Sequence, residues 1–365
     1  IRSKDKFTVW VISLQPQICK KFDHSQQNKT MKTAIYWQSI LLTGFILTSC
    51  HTTKQTTQAP APEPATAPAE IVISDPTGIS EPKTPEKKEK EPAWAPKTHQ
   101  FNPSYTKVNE LLHTKLQLQF DWNAEKVIGK ANLRLKPWFY ATDSVVLNAR
   151  NFEIQKIALV QGNAYKDLKY DYANQKIKIQ LDKTYTRNDE FELLIEYVAK
   201  PSEAEGGSDA IASDKGLYFI NPQGKDPNKP RQIWTQGETE SNQAWFPTID
   251  APNERTTQEI FITVEDKYTT LSNGKLISST KNTDGTRTDY WKMSLGHAPY
   301  LFMMAIGEFA VVKDKWKNIE VNYYVEKEYE KYARMVFGNT PQMLEFFSNK
   351  LGVAYPWEKY SQVVV

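Results

Sequence analysis

The chain has 365 residues and a formal net charge of +3, from 46 Lys and Arg against 43 Asp and Glu. That length accommodates two domains, but a mean hydropathy of -0.60 and 21 prolines mean that part of it does not pack into a core. Basic and acidic residues are interspersed, so no positive stripe marks a phosphate-backbone partner and no nucleic-acid partner is expected.

Residues 1–30 contain no Met and no sustained apolar period, and read as an extension upstream of a start at Met31. From Met31 the pattern changes. Lys32 supplies a positive n-region and residues 40–47 an apolar stretch too short to span a bilayer. It ends at Leu47-Thr48-Ser49-Cys50, which resembles a bacterial lipobox: an aliphatic residue, two small ones, then a cysteine that is acylated and becomes the mature N-terminus. Residues 31–50 are therefore expected to be a lipoprotein signal peptide. Cys50 would anchor the protein to a membrane of the cell envelope, on its periplasmic side or surface. The plainer alternative is a secretory signal with an incidental cysteine. Cys19 and Cys50 are the only cysteines, so a mature chain starting at Cys50 has no disulfide framework and relies on a hydrophobic core.

Residues 51–97 are rich in Thr, Ala, Pro, Lys and Glu, a composition that buries too little apolar surface to offset its ordering entropy. They read as a disordered linker that tethers the folded part. From residue 98 the period becomes two: Leu116, Leu118, Phe120 and Trp122 alternate with polar residues, Asn123 to Lys126 make a turn, and 127–135 return as a second strand. Further strands are predicted at 144–147, 152–159, 176–181, 191–197, 217–220, 259–264 and 300–306, with turns at Asn273-Gly274 and Asp284-Gly285. Residues 98–315 thus read as a mostly β domain, an antiparallel sandwich or curved saddle-like sheet.

After Trp316 the spacing turns helical. One more strand is predicted at 319–325, then helices at 327–337 and 341–351. Thr340 is the expected N-cap of the second helix, Pro341 stands at its first position, and Gly352 is the expected C-cap. The final Val363-Val364-Val365 run reads as a buried strand without a partner in the sequence. Residues 316–365 read as the start of a second, α/β domain, and that unpartnered strand reads as a truncation.

The histidines are His24, His51, His99, His113 and His297, and no two flank a glutamate at the spacing that holds zinc on a helix. His113 and His297 read as ordinary solvated or hydrogen-bonded residues. No metal ligands and no catalytic residues are assigned. One cluster stands out: Thr235-Gln236-Gly237-Glu238, followed by Trp245-Phe246-Pro247, Asp250 and Arg255-Thr256-Thr257. On a pleated segment Gln236 and Glu238 share a face, and a carboxylate beside an amide oxygen is a receptor for an ammonium group. A solvent-facing turn is the plain alternative. Trp245, Phe246, Asp250 and Arg255 read as architectural, with the Asp/Arg pair pinning a loop.

Residues 98–365 resemble the N-terminal β domain and the opening of the thermolysin-like catalytic domain in the aminopeptidase N family of gluzincin zinc metallopeptidases. The matching pieces are the 235–257 cluster, Leu271-Ser272-Asn273-Gly274-Lys275-Leu276, Tyr300-Leu301 with Gly307-Glu308-Phe309, and Tyr355-Pro356-Trp357 with Lys359-Tyr360. The resemblance implies an exopeptidase that removes N-terminal residues from peptides, with Gln236 and Glu238 holding the substrate's free α-amine. It also implies a Zn2+ ion whose ligands lie in segments absent from this chain, so the chain by itself is expected to be inactive. Two alternatives remain open at this stage: a lipid-anchored, non-catalytic β-sandwich module binding peptide or glycan, and a degenerate family member that keeps the fold without the chemistry.

Overall fold

The computed structural model describes residues 104–203 and 215–365, together with the backbone of Val9–Trp10. The signal-like segment, the lipobox with Cys50 and the 51–97 linker lie outside the described residues. The expected first hairpin is present and longer than its apolar alternation suggested: Asn109–Asp121 and Lys126–Pro137 pair antiparallel, with a bulge between Leu111 and His113. Leu116 and Leu118 are buried while Gln117 and Gln119 are exposed, the two-residue period of a half-buried strand.

This hairpin sits in the middle of an eight-stranded sheet. Its order is Lys275–Lys281, Thr286–His297, Thr256–Glu265, Asn109–Asp121, Lys126–Pro137, Phe191–Ala199, Phe152–Gln161 and Ala164–Asp167. All neighbours are antiparallel except Thr256–Glu265 and Asn109–Asp121, which run parallel. A three-stranded sheet (Thr142–Asn148, Lys176–Tyr185, Tyr170–Ala173) and a four-stranded one (Leu217–Ile220, Gln232–Thr235, Met304–Gly307, Thr269–Ser272) complete the β domain. The protein is mostly β, and its sheets are predominantly antiparallel.

The strand expected over 300–306 begins only at Met304. Pro299–Leu301 instead form a 3-10 turn, where proline's fixed φ suits the first position. Lys275–Lys281 is exposed along its whole length, an edge strand with no alternation to reveal it.

At the C-terminal end, Phe309–Trp316 and Ile319–Glu326 form a hairpin. A 3-10 turn (Lys327–Tyr329) and two helices, Glu330–Phe337 and Thr340–Leu351, follow. They return the chain so that Lys359–Val364 pairs parallel with Ile319–Glu326. The final valine run therefore has a partner, contrary to the sequence expectation, because a parallel pair needs a long crossover that local patterning does not show. Val9–Trp10 pairs antiparallel on the other edge of that strand.

The N-cap of the second helix is Asn339, one residue earlier than predicted. The Thr340 hydroxyl lies 2.7 Å from Phe337 O and 2.9 Å from Gln362 Oε1, tying the helix to the last strand. Gly352 closes the helix in the left-handed conformation at φ 67°. Among the described residues no helix is long and apolar enough to cross a membrane.

One apolar cluster fills the β domain and takes in Phe309, Tyr324 and Val363 of the terminal sheet, so packing is continuous across the seam between them. A smaller cluster of Trp316, Val321, Tyr323, Val325, Ala333, Phe337, Leu344 and Tyr360 lies under the helices.

Candidate amine-binding site

The Gln232–Thr235 strand runs between Leu217–Ile220 and Met304–Gly307, and ends where the candidate residues begin. Thr235 Oγ1 accepts the Met304 N–H at 2.9 Å, and the Gln236 N–H donates to Gly216 O at 2.9 Å. Gln236 and Glu238 thus stand on the turn that follows the strand and not on the pleat itself. The Glu238–Thr239 peptide bond is cis.

Buried polar contacts fix the path of this turn. Asn242, fully buried, donates through Nδ2 to Pro299 O at 2.7 Å and Phe302 O at 3.0 Å, and accepts from Trp245 Nε1 at 2.7 Å. Satisfied networks of this kind hold a loop in one geometry. Trp245 and Phe246 are fully buried, and Phe246 stacks on Phe302 with ring centroids 5.2 Å apart. Asp250 accepts the Gln243 N–H at 2.9 Å and donates its own N–H to Asn148 Oδ1 at 3.2 Å. It makes no pair with Arg255, whose guanidinium donates to the carbonyls of Pro252 and Glu254. The loop is pinned by Asn242 and Asp250 rather than by an Asp/Arg pair. Burial raises the Asp250 carboxyl to about 7, and its Oδ1 has no hydrogen-bond partner.

Gln236 is half-buried and lines a shallow groove with Trp234, Thr235, Met303, Met304, Ala305, Val363 and Val365. Glu238 is exposed, so its carboxylate is solvated until something covers it. Nearby, Glu240 accepts the Tyr105 hydroxyl at 3.0 Å, which raises the Tyr105 pKa. The turn thus carries an amide side chain at the groove and an exposed carboxylate two residues on.

The groove lies on the seam, beside a second pocket of about 70 Å³ that gathers motif residues far apart in the chain. Lys359 donates from Nζ to Ser272 O at 2.6 Å and stands 5.3 Å from the Trp291 ring centroid. Desolvation lowers the Lys359 pKa to about 8. Asn273 braces the same corner, accepting the Met303 N–H at 2.8 Å and donating to Leu301 O at 2.9 Å. A Cβ on Gly274, whose φ is +71°, would fall 1.8 Å from Lys292 O, so only glycine fits this turn.

His297 is buried, stacks on Phe302, and approaches Gln258 Oε1 and Leu295 O; burial lowers its pKa to about 4, which keeps it neutral. His113 lies 2.7 Å from Thr257 Oγ1, and its pKa is lowered mainly by burial. Among the described residues no group of three His, Cys, Asp or Glu could hold a metal ion. The donors present do not fit a zinc ion, and no chemical step is assigned to one.

Asn242 and the Lys359–Ser272 contact carry no local sequence signal. Both lysine and serine stand in quoted motifs, but nothing local joins residues 87 positions apart.

Residues 103–301 match the family model of the Peptidase M1 N-terminal domain. The chain belongs to the M1 peptidase family. It is 24% identical over 233 residues to the puromycin-sensitive aminopeptidase of Caenorhabditis elegans, covering 62% of this chain and 23% of that protein. It is 21% identical over 229 residues to aminopeptidase 2 of Candida albicans, 61% of this chain and 23% of the relative. A third similarity, 23% identity over 153 residues, is to transcription initiation factor TFIID subunit 2 of Gallus gallus, covering 41% and 13% of the two chains. This M1 chain therefore spans about a quarter of the length of the aminopeptidases it matches.

Proposed function

We propose that this chain forms the N-terminal part of a zinc-dependent aminopeptidase that acts outside the cytoplasm, and that Gln236 and Glu238 hold the α-amine of the peptide being trimmed. The reading rests on one observation: on a turn whose path Asn242 fixes, Gln236 lines the groove at the seam and Glu238 stands exposed two residues on. The amide oxygen and the carboxylate orient an ammonium group through charge-assisted hydrogen bonds, and an N-acylated peptide offers no such cation. The zinc ion that the family uses would polarise the scissile carbonyl from ligands outside these residues.

Substrates are peptides with a free N-terminus. Cys50, acylated at the lipobox, anchors the protein to the cell envelope, and residues 51–97 tether the folded part. In the polypeptide that includes the zinc-bearing segment, Glu238→Ala should lower kcat/KM on aminoacyl anilides by about 2–4 kcal/mol of transition-state stabilisation, with kcat/KM for an N-acetylated analogue unaffected. Unchanged kcat/KM in the variant would remove the role assigned to Glu238. Cys50→Ser should release the protein from membranes, and retention of that variant in the membrane fraction would refute the anchor.

The similarity to a protein named as a transcription initiation factor subunit and not as a peptidase favours a second reading, in which this chain binds a peptide without cleaving it. Equal affinity for free and N-acetylated peptides would favour it over the first.

A further inference from the structure

Pro137 ends its strand, and the chain turns over Trp138, Phe139 and Tyr140 before the Thr142–Asn148 strand begins. Turns of this kind are normally polar, yet these three aromatics are 49%, 60% and 80% exposed. The Trp138 N–H donates to Val108 O at 2.8 Å, which lays the loop against the first described residues, where Tyr105 and Val108 are also exposed. The Phe139 and Tyr140 rings meet edge to face at 4.9 Å, and Lys107 Nζ stands 4.5 Å over the Trp138 ring. An apolar tip of this composition is one that association covers.

We propose that Trp138, Phe139 and Tyr140, flanked by Tyr105 and Val108, form a surface that seats the domain on a lipid bilayer. The position of the patch selects the bilayer over other partners. Residues 51–97, read as a tether from Cys50, enter the domain through the few residues before Tyr105, so the rings lie on the end of the domain to which the anchor is joined. Trp and Tyr carry an apolar body and a polar tip, which suits the headgroup level of a bilayer. Among the described residues, the cations beside the patch are paired, Lys107 with Glu254 at 3.0 Å and Lys136 with Glu110 at 3.2 Å. Contact is therefore apolar, insensitive to salt and to anionic lipid. A few rings bind weakly when free in solution; a tether raises their effective concentration at the surface, as a second signal does for a singly acylated protein. The inference rests on the reading of Cys50 as the anchor, and its test separates the two.

The full chain, carrying an N-terminal hexahistidine tag with Cys19→Ser and Cys50→Ser, is held on phosphatidylethanolamine/phosphatidylglycerol vesicles containing a chelator lipid. An environment-sensitive fluorophore is attached through Phe139→Cys, or through Ile277→Cys, an exposed position on the edge strand, as control. The label at 139 should shift to the blue, brighten by about two-fold or more, and be quenched by shallow spin-labelled lipid, in high salt as in low. The label at 277 should stay as in buffer. Trp138→Ser with Tyr140→Ser should abolish the change at 139. A label at 139 that keeps its buffer spectrum on tethered vesicles overturns the proposal. So does one that responds to soluble glycan or peptide in the absence of lipid. Failure of the anchor is read elsewhere, as absence of acylation at Cys50 in cells, and leaves the vesicle result standing.

Discussion

Gly237 has no room for a methyl group. A Cβ there would lie 2.4 Å from both Asn242 Nδ2 and Tyr300 O, and the carbonyl cannot yield as a flexible side chain can. Gly237→Ala should therefore cost about 1–3 kcal/mol in chemical denaturation, by forcing apart the contacts that hold the Gln236–Glu238 turn. An unchanged midpoint would show the turn to be looser than described. Two buried groups beneath the same turn titrate in opposite senses. Asp250 titrates at about 7 in the fold against 3.8 ordinarily, so the folded state holds the extra proton and stability is lost as pH rises from about 4 to 7. His297 titrates at about 4 against 6.5, so the unfolded state takes the proton first and stability is lost as pH falls from 6.5 to 4. Over that window the slopes of these two groups oppose each other, alongside the contributions of others such as His113 and Glu254. Asp250→Asn should unmask a loss on the acid side, and His297→Gln a gain. Parallel profiles for the two variants, measured by urea unfolding from pH 4 to 8, would contradict these assignments.

Lys359 joins the last strand to the carbonyl that ends Thr269–Ser272, and its burial penalises the charged form. The folded chain gives up this proton near pH 8 and the unfolded chain near 10.5, so the penalty is present below pH 8 and relieved as pH rises between those values. Lys359→Met should remove that alkaline gain in stability, whereas Lys359→Arg, always charged, should keep the penalty at every pH. A gain that persists in the methionine variant would place the titrating group elsewhere. The elements that Lys359 links were unequally legible in the sequence. Leu116 and Leu118 betray their strand because one face is buried and the other solvated. Lys275–Lys281 has no buried face and gave no signal. The partner of Lys359–Val364 lies across two helices, and long-range pairing leaves no local period. Gln236 and Glu238 stood out through family likeness. Asn242, which fixes their turn, did not, because a buried asparagine reads like any loop asparagine until its carbonyl partners are seen.

At the scale of the whole molecule, the two helices are half-finished surfaces. Leu344, Ala333 and Phe337 face the terminal sheet, but Met335, Val336, Met343, Phe346, Phe347 and Leu351 are between 46% and 78% exposed. That apolar face is contributed by short segments adjoining one another, which is how surfaces meant for association look, and beyond the part matched here the aminopeptidase relatives have about three times that matched length with which to cover it. Met335→Lys combined with Phe346→Lys should change the unfolding free energy by no more than about 1 kcal/mol, since Met335 is 78% exposed and Phe346 keeps surface contacts with Phe347 and Lys350. The same pair should cut binding of a hydrophobic dye and shift sedimentation towards monomer at high micromolar concentration. In a longer polypeptide that covers the helices the same two lysines would be buried without partners, and should destabilise it by several-fold more than the surface value. If the lysine pair is as harmless in the longer polypeptide as in this chain, the face stays open there, and its apolar side chains serve a separate partner.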